Sequence, residues 1–248
     1  MDNAISQPAP RPHQWAKLIV VLGTLWGLLL ITIGAITEPA PESQAMVLAV
    51  YASGLYTLGL FVTRPIWSWV LGWRPMAGAI LLGIFNAAVV ETLFLVSEEI
   101  TGAEGIAAHP NLLIDLLITM PWYVVMVISF ARVQRRQRFA PAIVLLLGAV
   151  YELGADGIVS QVVGILFGES QLLNPGYWLE IGLFGFWIFI PVYSSMLLAP
   201  AWLIEKSTPA PKPAILAWRD ALKPLLWLIP FTVYLFVVIL ILSALGLA

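Results

Sequence analysis

Cysteine is absent from the 248 residues of this chain, and charged residues make up only 10% of them. The absence of cysteine excludes a disulfide framework, a thiolate metal site and a cysteine nucleophile. Apolar residues reach 60%, whereas roughly a quarter of the residues of a soluble domain are charged. The composition therefore excludes an ordinary soluble domain and indicates a protein of the lipid bilayer.

Histidine is nearly absent as well. The two that occur, His13 and His109, lie before the first apolar run and in a loop, so neither a multi-histidine zinc hydrolase nor a bis-histidine haem site is expected. No lysine falls inside an apolar run, which excludes a retinal Schiff base, and P-loop, HExxH and GxSxG motifs are missing. We therefore expect no metal, no organic cofactor and no nucleic-acid partner.

Seven apolar runs are present, each long enough to cross the roughly 30 Å hydrocarbon core of a bilayer as a helix. We predict one all-α domain over residues 1–248, a polytopic membrane bundle of seven transmembrane helices. Residues 1–16 form a tail, and a Pro-rich linker, TPAPKP, occupies 208–213. The helices are predicted at residues 18–37, 45–63, 76–97, 111–131, 139–168, 176–204 and 222–247.

The 12 lysine and arginine residues test this count of helices. Because positively charged loops stay in the cytoplasm, their distribution predicts a cytoplasmic N-terminus and an exterior C-terminus, and hence a multi-pass protein of the membrane, the inner one in a prokaryote. A cleaved signal is the less favoured interpretation of the first run, which is longer than a typical signal. With seven helices all of the basic residues fall on one side: Arg11, Lys17, Arg64, Arg74, Arg132, Arg135, Arg136, Arg138, Lys206, Lys212, Arg219 and Lys223.

Two shorter segments predict specific contacts. RPIWSWVLGWR at 64–74 combines arginines with Trp67, Trp69 and Trp73, which is typical of an amphipathic segment at the cytoplasmic interface or, more simply, of an aromatic belt. GTLWG at 23–27 places two glycines one helical turn apart, which favours close packing against another helix.

Five acidic residues fall within the predicted helices, without any lysine or arginine beside them. Counted at 1.5 Å per residue, they lie near the midplane or in the exterior half, where we expect them to converge. Each must be protonated, hydrated in a cavity or paired with a cation from outside, and at least one is expected to be a neutral proton donor at pH 7. The five are Glu91, Asp115, Glu152, Asp156 and Glu180, whereas acids such as Glu98, Glu99 and Glu169 fall in or near loops.

The fifth helix carries the most specific spacing. Gly148, Glu152, Asp156 and Ser160 recur every four residues, which makes one small and polar face that must contact protein or water. We favour a functional role for Glu91, Glu152 and Asp156. For the two acids nearest the interface, Asp115 and Glu180, we favour loop capping or hydrogen bonds between helices.

Three stretches together resemble the emopamil-binding (sterol isomerase-like, EXPERA) family: NAAVVETLFLVSEE at 86–99, the segment around Glu152, and GYWLEIGLFGFWIFIPVYSSM at 176–196. The resemblance covers residues 79–205. It implies a bundle around a lipid-accessible cavity, in which acids from separate helices move protons on a sterol. It also implies that Glu91 and Glu152 are these acids and that Trp187 faces the cationic intermediate.

The chain departs from that family at two positions. Ala87 stands where the family carries a histidine, and Phe184 stands where it carries an asparagine. The resemblance therefore implies the cavity and its acids more directly than sterol isomerisation itself.

Three functions follow from these patterns. The first is an enzyme that isomerises, hydrates or cyclises an isoprenoid- or sterol-like lipid, with Glu91, Glu152 and Asp156 in the acid–base roles. The second is a carrier that couples to a proton or another cation, although neither a duplicated half nor paired broken helices is evident, and only Gly154 and Gly157 suggest a loosened helix. The third is a non-catalytic membrane subunit or lipid-binding module. The residues expected to contact a hydrophobic ligand are Trp187, Trp178, Tyr123, Trp122, Asn86, Asp115 and Glu180.

Overall fold

The structure is a computed structural model that describes residues 13–167, 171–207 and 218–247. Predictions that concern Arg11, Glu169, Lys212 and the 208–213 linker lie outside these residues, as does the side chain of Lys206. The described residues form helices joined by short loops and contain no strand. Seven helices are long and apolar enough to cross a membrane. The predicted all-α bundle and its number of helices are therefore confirmed.

The first four spanning helices are simple. In chain order the helices here are α1 (His13–Thr37), α2 (Pro41–Val62), the short α3 (Arg64–Leu71), α4 (Pro75–Thr101) and α5 (Leu112–Gln137).

The last three spanning helices are composite. The fifth consists of α6 (Pro141–Glu152), a π-helical segment (Leu153–Val159) and α7 (Ser160–Phe167). The sixth consists of α8 (Pro175–Glu180), a second π-helical segment (Ile181–Gly185) and α9 (Phe186–Ser207). The seventh consists of α10 (Trp218–Ala221), a 3₁₀ turn (Lys223–Trp227) and α11 (Leu228–Ala244).

The observed helices extend beyond several predicted ends. α1 begins at His13, so the last part of the predicted tail is helical, while α4 and α5 continue for four and six residues past their predicted ends. Hydropathy marks only the apolar part of a helix, whereas the backbone continues until a cap ends it. Here the caps are left-handed residues, Gly102 with φ 70° and Arg138 with φ 48°.

The core is organised around α9. This helix packs against α1, α2, α4, α5 and α6, and residues 190–201 are buried without interruption. By contrast, α11 buries only Val238 and Leu242. A helix that is apolar on all sides but mostly exposed suits a lipid environment, so the central α9 and the peripheral α11 agree with a multi-pass membrane protein.

The segment between α2 and α4 forms the separate helix α3. Trp69 and Trp73 are strongly exposed, while the Trp67 indole N–H donates a hydrogen bond to the Leu60 carbonyl at 2.9 Å. The Arg64 guanidinium lies 5.0 Å from the ring centre of Trp202, which joins the start of α3 to α9. A separate helix is thus present, and both the amphipathic interfacial segment and the simpler aromatic belt stay predictions.

Small residues set the closest helix contacts. The ring and backbone of Trp187 pack directly against Gly23 and Gly27, so the predicted close packing at GTLWG is confirmed. At Gly83, a Cβ atom would lie 2.6 Å from Val127 Cγ1 and 2.9 Å from the Met196 carbonyl oxygen. Only a glycine therefore lets α4 approach both α5 and the backbone of α9.

We predict that Gly83→Ala lowers the free energy of unfolding by about 1–3 kcal/mol, the usual cost of overpacking a core. The matched control is Gly59→Ala in α2, where a Cβ atom would meet nothing within 4 Å and the higher helix propensity of alanine is neutral or favourable. The measurement is thermal unfolding of both variants and the wild type in one detergent. Equal midpoints for the two variants would contradict the packing described here.

Candidate functional site

The structure brings together four acids that lie within helices long and apolar enough to cross a membrane. Glu91 of α4 lies beside Asp115 of α5, and Glu152 at the end of α6 lies beside Asp156 of the first π segment. The two pairs are close enough for Glu91 to interact electrostatically with both Glu152 and Asp156. We call these four residues the carboxyl cluster. Glu180 of α8, the fifth acid expected to converge, is instead exposed.

Three members of the cluster are buried, Asp156 is exposed on the cavity wall, and none of the four has a basic partner among the described residues. Glu152 and Asp115 are fully buried and Glu91 is 7% exposed. Neither oxygen of Glu152 makes a hydrogen bond of normal geometry, and Asp115 Oδ2 makes none either. The one salt bridge among the described residues joins Lys223 to Asp220, outside the cluster. Because an unpaired buried carboxylate is costly, the three buried groups must share protons or meet a cation from outside, whereas Asp156 can also be hydrated in the cavity.

Two buried tyrosines connect the members of the cluster. The Tyr123 hydroxyl, which lies beside Glu91, donates a hydrogen bond to the Tyr193 hydroxyl at 3.4 Å, and the Tyr193 hydroxyl donates to Asp156 Oδ2 at 3.3 Å. A hydroxyl group both donates and accepts, so the order Asp115, Glu91, Tyr123, Tyr193, Asp156 forms a continuous line of proton-carrying groups. We call it the acid–tyrosine chain.

Asp156 forms part of the wall of a large cavity. The cavity has a volume of about 930 Å³ and lies between α5, the fifth spanning helix and α11. Asp156 and Ser160 contribute polar groups to its wall, whereas Val163, Phe231 and Leu235 are among the apolar residues opposite or beside them. Glu152 does not reach the cavity and is fully buried. The pair therefore has one carboxyl group facing the cavity and one behind it.

The π segment determines this orientation of Asp156. A π segment changes the angular position of the residues that follow α6 and often marks a functional site. Glycines occur on both sides of Asp156, and at Gly154 a Cβ atom would lie 2.6 Å from Leu228 Cδ1. The Tyr177 hydroxyl donates to the Gly157 carbonyl at 2.7 Å and so joins α8 to the segment. The expected loosening of the fifth helix is therefore present, and a second π segment follows in the sixth helix, an interruption that hydropathy did not indicate.

A short loop covers one side of the cavity. Ala108, His109 and Pro110 line it, and four hydrogen bonds hold this loop in place. Glu98 Oε1 accepts from the amides of Ile106 and Ala107, the latter at 2.8 Å. Asp115 Oδ1 accepts from the Ala108 amide at 2.9 Å, and His109 Nε2 contacts the Leu247 carbonyl at 2.8 Å.

These bonds assign roles to two acids. Asp115 makes the loop contact that we favoured for it. Its second oxygen, Oδ2, has no hydrogen bond of normal geometry and the residue lies beside Glu91, so Asp115 also belongs to the carboxyl cluster. Glu98, which the sequence places near a loop without a role, is 6% exposed and binds two loop amides. Its position four residues before Gly102, the glycine that ends α4, was the available signal.

The remaining predicted residues are scattered. Trp122 is buried, its indole N–H has no partner among the described residues, and its ring lies 5.8 Å from that of Phe231 in the cavity wall. Trp178 is exposed and donates to the Leu172 carbonyl, and Trp187 packs on α1 rather than on the carboxyl cluster. Asn86 accepts from the Tyr56 hydroxyl and donates to the Ser195 carbonyl, both at 2.7 Å, and so joins three helices.

Tyr193 is the one member of the acid–tyrosine chain that the sequence analysis missed. It stands in the short polar stretch YSS within the otherwise apolar sixth helix. Such a polar interruption in a buried helix is a usable signal, because buried hydroxyl groups require partners.

No set of three or more His, Cys, Asp or Glu side chains within the described ranges is placed to hold a metal ion. Comparison of the chain with protein-family models, with curated proteins and with solved structures found no match. The carboxyl cluster, the acid–tyrosine chain and the cavity are therefore the features of the molecule that indicate its function.

We predict that Glu98→Ala speeds hydrogen exchange of the Ile106 and Ala107 amides by about tenfold or more, because a hydrogen bond to a charged group contributes about 1.5–3 kcal/mol. Glu99→Ala is the matched control, since Glu99 is the neighbouring residue of the same helix but is exposed. Exchange followed by mass spectrometry over the 102–111 loop makes the measurement. The same protection in both variants would show that Glu98 does not hold the loop.

Proposed function

We propose that this protein is an intramembrane acid–base enzyme that acts on an isoprenoid- or sterol-like lipid bound in the 930 Å³ cavity. The observation that carries the proposal is the Asp156 carboxyl group on an otherwise largely apolar cavity wall, with Glu152 directly behind it. An apolar cavity with few polar groups suits a hydrophobic substrate, and those polar groups orient it. The reaction class is isomerisation, hydration or cyclisation.

Paired carboxyl groups can supply both an acid and a base. In the proposed reaction, Asp156 transfers a proton to one carbon of a carbon–carbon double bond, and the positive charge develops on the other carbon. Loss of a proton from an adjacent carbon to the Asp156 carboxylate completes an isomerisation. Addition of water followed by loss of a proton from the added oxygen gives hydration, and addition of a second double bond followed by loss of a proton from the new cation gives cyclisation, with the carboxylate or water as the proton acceptor. The ring of Phe231 on the same wall suits a nearby positive charge through cation–π attraction.

The acid–tyrosine chain supports the resupply of protons. When a product retains the proton from Asp156, the carboxyl group must be protonated again. Tyr193 contacts Asp156, Tyr123 contacts Tyr193, and Glu91 lies beside Tyr123. This route ends at Asp115, which contacts the cavity-covering loop. We propose that this loop faces the exterior, with the N-terminus in the cytoplasm, in agreement with the distribution of the basic residues.

The resemblance to the emopamil-binding family stays a prediction. Glu91 and Glu152, the acids it implies, both belong to the carboxyl cluster, whereas the implied aromatic wall, Trp187, packs against Gly23 and Gly27. In the reaction proposed here Asp156 is the residue next to the substrate, and Phe231 takes the aromatic role.

A proton carrier is the second candidate, and the acid–tyrosine chain is the observation that favours it. A line of carboxyl and hydroxyl groups with no internal cation is a feature of proton relays in membrane proteins. The enzyme is preferred because the chain ends at a cavity large enough for a lipid, whereas transport alone requires no such space.

We predict that membranes containing the wild type incorporate carbon-bound deuterium into one class of lipid in D₂O, because reversible protonation of a double bond exchanges solvent hydrogen into the substrate. Asp156→Asn should lower this incorporation by about 100-fold or more, the usual contribution of a general acid. The probe is a total lipid extract of the expressing cells, examined by high-resolution mass spectrometry. Glu180→Gln is the matched control, since Glu180 is an exposed acid outside the cluster.

Incorporation that survives Asp156→Asn would contradict the proposed chemistry. Absence of incorporation in the wild type, together with proton flux into proteoliposomes that Glu91→Gln abolishes, would favour the carrier. Absence of both activities would favour the non-catalytic subunit.

A further inference from the structure

A second polar cavity lies at the opposite end of α5 from the carboxyl cluster. Its volume is about 200 Å³, and it is bounded by the last turns of α5 and by α10 and the 3₁₀ turn at the start of the seventh spanning helix. At 1.5 Å per residue, Arg132 is about 25 Å along α5 from Asp115. The chemically informative residues that line this cavity are Ser129, Arg132, Arg136, Asp220, Lys223 and Trp227.

The two sides of this cavity are held in place by buried contacts. The Tyr151 hydroxyl of α6 donates to the Ala221 carbonyl at 2.5 Å, and both Tyr151 and Ala221 are fully buried. Gln137 Nε2 at the end of α5 donates to Asp220 Oδ2 at 2.9 Å. The start of the seventh helix is thereby fixed against α5 and α6, so the cavity is a built feature of the fold.

The cavity carries an excess of positive charge. Its one carboxylate, Asp220, already uses Oδ1 for Lys223 Nζ at 2.5 Å and Oδ2 for Gln137. Arg132 and Arg136 have no salt bridge within the described residues. They lie four residues apart, so both project from one face of α5. Three cationic groups and one anionic group leave two positive charges that an anion would neutralise.

An exposed apolar surface adjoins the charged groups. Leu226, Trp227 and Ile229 are 68%, 48% and 72% exposed, and Trp227 belongs to the cavity wall itself. A free anion would use only the arginines, whereas a phospholipid presents a phosphate group and acyl chains side by side. Tryptophan is common at the headgroup level of membranes, and basic pockets between spanning helices bind anionic headgroups.

We propose that this cavity binds an anionic phospholipid, with the lipid phosphate between Arg132 and Arg136 and an acyl chain along Leu226 and Ile229. This lipid site is separate from the 930 Å³ cavity and independent of the reaction proposed there. On the predicted orientation it faces the cytoplasmic leaflet, where anionic lipids attract basic residues.

The test is native mass spectrometry of the detergent-purified protein titrated with phosphatidylglycerol or phosphatidylcholine. Phosphatidylglycerol should bind more tightly, and Arg132→Gln and Arg136→Gln should each weaken its binding about fivefold, since one basic residue near a membrane surface contributes about 1 kcal/mol. Phosphatidylcholine binding should change little. Arg135→Gln is the matched control, because it removes the same charge from the same turn of α5 but does not line the cavity.

Two results would overturn the proposal. An equal loss of phosphatidylglycerol binding in Arg135→Gln and Arg136→Gln would indicate that the lipid is attracted by the overall positive charge at this end of α5 and not by the cavity. Displacement of the lipid by an equimolar amount of inorganic phosphate would indicate a site for a soluble anion. Thermal unfolding of each variant, with midpoints close to that of the wild type, verifies that the folded protein is being compared.

Discussion

The burial of three carboxyl groups, Glu91, Asp115 and Glu152, beside a fourth on the cavity wall and without a basic partner is the constraint on which the rest of this structure depends. Charge at such depth is costly, and removal from water is offset only by hydrogen bonds, shared protons or an external cation. The described contacts reflect that requirement: loop amides bind Asp115, Tyr193 binds Asp156, and Glu91 lies beside Tyr123. Glu152, whose oxygens have no hydrogen bond of normal geometry, has Asp156 as its immediate neighbour.

Different helices of the bundle position these groups and form the cavity beside them. The central α9 supplies Tyr193 and packs on α4, α5 and α6. Three of the acids belong to these helices, and Asp156 belongs to the π segment that follows α6. The π segment turns Asp156 toward the cavity, and the peripheral α11 closes the other side with apolar residues. The wall that carries Asp156 therefore faces a largely exposed helix, α11, an arrangement that suits entry of a lipid from the side.

Much of this architecture was predictable from the sequence. The lengths of the apolar runs define the spanning helices, and counting residues gives the position of each acid along its helix. The spacing of Glu152 and Asp156 likewise predicts that the two are neighbours, whereas the burial of Glu152 and the exposure of Asp156 on the cavity wall were not predictable. Rotation of each helix about its axis was not predictable, which is why Trp187 packs against α1 instead of the carboxyl cluster. The π segments leave no mark in hydropathy, and the loop contacts of Glu98 depend on how the 102–111 loop folds back over α4.

The central claim is that the 930 Å³ cavity holds an apolar molecule against Asp156. The most direct measurement is native mass spectrometry with lipid extraction on the protein purified from its own membrane, comparing the wild type with Ser160→Phe, in which a large ring fills the cavity beside Asp156. The account predicts one defined isoprenoid- or sterol-like molecule bound to the wild type and lost from a folded Ser160→Phe. The same bulk phospholipids on both proteins, with no defined apolar molecule on either, would contradict it.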